Sequence, residues 1–120
     1  MQAQIVKEKI SKEELSKIMR DNYGEMVKVA VDVKRGVLAV GGEWHSEGDE
    51  ILNQDGSSRE NVWGINFYPW KPTGKRIEYH ALINLKPSVG HTEMEILDSE
   101  LKQEIKSVIE KLLLSDDETL

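Results

Sequence analysis

The chain has 120 residues, no cysteine, 22 acidic against 16 basic side chains and a formal charge of −6. That length supports one domain with a single modest core. The missing cysteines exclude disulfide frameworks, thiolate zinc sites, iron–sulfur clusters and cysteine nucleophiles. The net negative charge argues against a nucleic-acid binder, whose affinity comes largely from neutralising phosphates.

Polar residues interrupt the amino terminus before it can form the apolar run of a secretory signal. Charged residues likewise break every segment well short of the roughly 18 apolar residues of a membrane span. A soluble cytoplasmic protein without a membrane partner is the expectation. Ile5 and Val6 start a first strand. Ser11-Lys12-Glu13-Glu14 has the form of a capping box, and Leu15, Ile18 and Met19 follow at helical spacing, which predicts an amphipathic helix over 11–22 ending at Gly24.

From Met26 to Val33 the sequence alternates, with Val27, Val29, Val31 and Val33 facing one way. Lys34-Arg35-Gly36 makes a hairpin turn to a partner strand over 37–42. A short helix capped by Ser46 is expected over 46–53, followed by a loop. Residues 61–68 form a strand with Trp63, Ile65 and Phe67 on its core face, and 77–85 are expected to form the longest strand. Residues 87–97 read either as loop or as a weak edge strand. Asp98 caps a last helix whose stripe is Leu101, Ile105, Val108, Ile109 and Leu112.

The order of elements predicts an α+β fold: a single mostly antiparallel sheet of four to six strands with two or three helices packed on one face. Residues 1–114 form the domain, and 115–120 are expected to be a mobile acidic tail.

Strand parity selects a candidate site. Side chains two apart share a face, so the face opposite the apolar set gathers Asp32, Glu43, His45, Asn66, Tyr68, Glu78, His80, Asn84 and Lys86. A sheet with helices on one side normally shows water a polar face. Two His, two Asn and a Tyr are nevertheless unusual for a plain solvated strand surface. No cofactor is expected from the motifs, but within this set Glu43, His45 and His80 could ligate a divalent metal, since without cysteine any metal site is limited to His and carboxylate ligands. Trp44 and Trp63 have core parity. Trp70, between Pro69 and Pro72, either covers the edge of the core or stands exposed as an anchor for a partner.

Together, Ala39-Val40-Gly41-Gly42-Glu43-Trp44-His45, Trp63-Gly64-Ile65-Asn66 with Tyr68-Pro69, and Ile83-Asn84-Leu85-Lys86-Pro87 resemble a family of short prokaryotic proteins of unknown function. The chain departs from that family's pattern at Lys86, where arginine is usual, and at His91–Met94, where Asn and Arg are usual. The resemblance implies a self-contained domain and brings no activity with it.

No Walker loop, nucleophile elbow or dinucleotide turn is present. Two functions follow from the residues. One is a binding or interaction module, forming a homodimer or engaging a protein partner. The alternative is a small metal-assisted hydrolase or ligand-binding enzyme working from the Glu43/His45 face. Catalytic residues are not assigned.

Overall fold

The computed structural model describes residues 1–120. Five strands form one antiparallel sheet in the order β1-β3-β2-β4-β5. They are β1 (Gln4–Val6), β2 (Val27–Asp32), β3 (Val37–Val40), β4 (Val62–Phe67) and β5 (Ile77–Glu78), and the helices are α1 (Lys12–Asp21), α2 (His45–Gln54) and α3 (Ser99–Leu112). The α+β expectation holds.

The ends of α1 and α3 are set by local chemistry. Ser11 Oγ accepts from the Glu14 N–H at 3.1 Å, and Asp98 Oδ1 accepts from the Glu100 N–H at 2.9 Å. Each such cap stabilises its helix by about 1 kcal/mol. Leu15, Ile18 and Met19 of α1 and Ile105, Val108, Ile109 and Leu112 of α3 then bury against one sheet face. That face carries Val27, Val29 and Val31 with Phe67, Ile65 and Trp63 directly opposite them.

The other face is not simply solvated. Helix α2 lies on it, against β1, β2 and β3. Ala30, Val37, Ala39, Leu52 and Val62 make a second, smaller core there. Small residues permit the approach: a Cβ at Gly48 would stand 3.0 Å from that of Ala30 and 3.3 Å from that of Ala39. The half of this face left uncovered lies around Lys28, Asn66 and Glu78, which are mutually in register.

The 77–85 segment departs from expectation. Only Ile77 and Glu78 pair with β4, after which the chain turns through a short 3-10 segment at Leu82–Asn84 and another at Pro87–Val89. Isolated bridges join His80 to Glu95 and Lys86 to His91. The strand stops because the edge of β4 is already occupied. The Asn84 amide accepts from the Gly64 N–H at 2.8 Å and donates to the Gly64 carbonyl at 3.0 Å.

The terminal segment, expected to be mobile, has contacts of its own. The buried Arg76 guanidinium donates to the carbonyls of Lys71, Ser115 and Glu118 at 3.0, 3.1 and 2.7 Å. The Thr73 hydroxyl donates to the Asp116 carbonyl at 2.8 Å. Arg76 thereby places its charge just beyond the end of α3, where the helix dipole is negative.

Candidate functional site

Strand β3 ends at Val40, and Gly41 and Gly42 follow with φ of 98° and 99°. Neither position would tolerate a side chain. A Cβ at Gly41 would lie 2.7 Å from the Gln2 carbonyl, and one at Gly42 would lie 2.9 Å from the Glu47 carboxylate. The chain therefore swings out of the sheet and into α2. The Glu47 carboxylate accepts from the N–H groups of Glu43 and Trp44 at 3.1 and 3.2 Å, closing the helix start. This turn is the reason strand parity does not carry through to Glu43, Trp44 and His45.

As the first residue of α2, His45 folds back over β4 with its Nε2 2.9 Å from the Ile65 carbonyl oxygen. A carbonyl only accepts, so the proton sits on Nε2 and Nδ1 keeps its lone pair. Burial holds the imidazole pKa below its usual value, against the raising effect of the Ile65 hydrogen bond. The nearby Lys28 and His80 also disfavour its charge, while the neighbouring Asn66 side chain favours it. Asn66 donates from Nδ2 to Glu78 Oε1 at 2.7 Å, and its Oδ1 is buried without a partner. The Tyr68 hydroxyl lies 3.5 Å from the same Glu78 oxygen, and burial followed by the Glu78 charge raises its pKa. The structure thus brings together His45, Asn66, Tyr68 and Glu78, with His80 close by.

The other four expected residues lie elsewhere. Asp32 is at the far end of β2, where its Oδ1 accepts from the N–H groups of Lys34 and Arg35 at 2.9 and 3.0 Å and fixes the hairpin turn. Asn84 is the buried peg in the edge of β4. Lys86 donates to the Arg59 carbonyl at 2.8 Å, with its ammonium 5.1 Å from the centre of the Trp63 ring. Glu43 contributes its carbonyl, which accepts from Lys28 Nζ at 2.7 Å and from the Tyr23 hydroxyl at 3.2 Å. No three His, Asp or Glu side chains converge on a position that could hold a metal ion. The expected set of Glu43, His45 and His80 is therefore not assembled.

Beside the polar cluster lies an aromatic patch that parity did not anticipate. Trp44, expected in the core, is 62% exposed, because the glycine turn carries it outside the sheet. Trp70 is 55% exposed, and its indole N–H donates to the Gly24 carbonyl at 3.1 Å. Tyr23 is exposed as well. The Lys28 ammonium stands 5.6 Å from the Tyr23 ring and 5.2 Å from that of Trp44, and Lys71 stands 4.0 Å from the Tyr68 ring. Glu25, Tyr68, Trp70 and Lys71 line an open depression of about 450 Å³. Lys28, Lys71, Glu25, Glu43 and Glu78 form no ion pairs within the chain.

Compared with known families, the chain matches the one described as protein of unknown function (DUF5674) over residues 4–112. No curated protein and no solved structure matches it.

Proposed function

The chain belongs to this family of unknown function, DUF5674, and we infer that it is a binding module whose contact surface is the patch of Tyr23, Lys28, Trp44, Trp70 and Lys71. The occupant is a second copy of the chain. The observation that carries this reading is the pair Trp44 and Trp70, both more than half exposed, with the Lys28 ammonium over the Trp44 ring and the Lys71 ammonium over that of Tyr68. Binding energy concentrates in Trp and Tyr anchors, and a cation–π contact strengthens to about 2 kcal/mol when it loses water.

Charge supports a second copy as the occupant. A two-fold interface places residue i against j and j against i. A patch holding unpaired lysines and unpaired glutamates can satisfy both on its own duplicate. Sedimentation equilibrium of the wild type and of the Trp44→Ala/Trp70→Ala double variant tests the reading. A wild-type dimer that the double variant loses is the expected result. A wild type that stays monomeric from micromolar to millimolar concentration, or a double variant that dimerises as well as the wild type, overturns it.

A second reading, an enzyme using His45 as general base, is favoured by the free Nδ1 of an imidazole held neutral beside Asn66 and Glu78. Screening hydrolase substrates against wild type and His45→Ala tests it. Turnover absent from both proteins, or equal in both, would remove it.

A further inference from the structure

Away from the residues of the aromatic patch, a concavity of about 340 Å³ is lined by Asp49 of α2, by Arg59 and Glu60, and by the arm that follows β5. Its walls differ in chemistry. Ile83, Leu85 and Pro87 supply an aliphatic side, on which Leu85 is 40% exposed. Lys86, Arg59 and Asp49 supply a charged side.

The charges on that side are unequally satisfied. The Arg59 guanidinium donates to Asp49 at 2.8 Å and to Glu50 at 3.0 Å. Asp49 is buried with both oxygens engaged, one by Arg59 and the other by Asn53 at 2.9 Å. Lys86 has no carboxylate partner. Its one acceptor is the Arg59 carbonyl, so two of its three N–H donors lack an oxygen. The ammonium is half-buried, and that burial pushes its pKa down, with the nearby Asp49 charge acting the other way and that of Arg59 adding to it. Such a group gains strongly from an anionic acceptor. Glu60, at the same concavity, is its only unpaired acid and opposes an anion there.

We propose that this concavity is a binding site for a small aliphatic carboxylate, its acid group on Lys86 Nζ and its hydrocarbon body against Ile83, Leu85 and Pro87. The volume lies within the range of small-molecule sites. The site is separate from the surface assigned to self-association and stands or falls without it.

The test is calorimetric titration of the folded protein with octanoate, octanol and octylamine, with backbone amide shifts recorded over residues 83–89. Octanoate is expected to bind more tightly than either analogue and to shift those amides. Lys86→Met removes the ammonium while keeping an unbranched side chain of similar length, and is expected to weaken octanoate about tenfold or more, the usual loss for a hydrogen bond to a charged group. Glu60→Gln, an exposed change that does not threaten the fold, is expected to tighten it. The proposal is overturned if octanoate does not bind, if octylamine binds as tightly, if Lys86→Met changes nothing, or if the shifted amides lie elsewhere.

Discussion

The side-chain amide of Asn84 is bonded to both backbone groups of Gly64, accepting its N–H at 2.8 Å and donating to its carbonyl at 3.0 Å, and it donates also to the Met94 carbonyl at 2.9 Å. One amide therefore replaces a neighbouring strand at the point where β5 leaves the edge of β4. Gly64 is the matching half of the device, because a Cβ there would lie 2.5 Å from that of Ala81. Asn84→Ala orphans buried groups at about 1–3 kcal/mol each, so an overall loss of about 3 kcal/mol is expected in urea unfolding. Gly64→Ala overpacks the same contact and is expected to cost about 2 kcal/mol. An Asn84→Ala protein with wild-type stability would show that the peg contributes nothing.

Asp32 offers a contrast within one side chain. Its Oδ1 caps two turn amides, while its Oδ2 is buried with no partner. Asp32→Asn keeps the oxygen that caps the turn and changes only the unpartnered position, so its stability is expected within about 1 kcal/mol of wild type. Asp32→Ala loses both turn bonds and is expected to cost about 2 kcal/mol. Chemical denaturation of the two variants side by side checks the ordering, and the reverse ordering would refute it.

Arg76 holds the carboxy-terminal segment through bonds to the Ser115 and Glu118 carbonyls. Removing a buried guanidinium's hydrogen bonds while keeping its stem, as in Arg76→Met, is expected to cost about 3 kcal/mol. Amide exchange at residues 115–118 should accelerate by more than the global loss of stability explains. Unchanged protection there would mean that the segment is held by other contacts.

The depressed pKa of His45 links stability to pH. The folded state holds the imidazole neutral, whereas the unfolded chain takes up a proton near its ordinary value of about 6.5. The contribution is therefore complete above about pH 6.5 and is lost as pH falls through the lower folded value. Melting temperature should decline from pH 7.5 toward pH 5 more steeply in the wild type than in His45→Gln, whose amide can still reach the Ile65 carbonyl. Equal slopes would place the linkage elsewhere.

The elements with one dominant face were readable from residue pattern: Val27/Val29/Val31 against Trp63/Ile65/Phe67, and the Ser11- and Asp98-capped helices, need only local spacing. The α+β class followed from them. The polar face was legible in part, since Asn66, Tyr68 and Glu78 keep their strand parity and His45 reaches the same cluster by another route. Parity misplaced Glu43 and Trp44 because Gly41 and Gly42 take the chain out of the sheet. It overextended β5 because the alternation Ile77, Tyr79, Ala81, Ile83 cannot reveal that Asn84 fills the strand edge. A signal for the helix on the second face was present in Ala30, Ala39 and Gly48, whose small size lets α2 approach. Nothing in the spacing indicated that Trp44 and Trp70 would both stand exposed, since that depends on the glycine turn and on tertiary structure.

The central claim, that the aromatic patch joins two copies, is tested most directly by isotope-filtered NMR on a mixture of labelled and unlabelled protein. The account predicts intermolecular contacts from the rings of Tyr23, Trp44 and Trp70 to residues of the same patch on the other copy. Intermolecular contacts confined to another surface, or none at millimolar concentration, would contradict it.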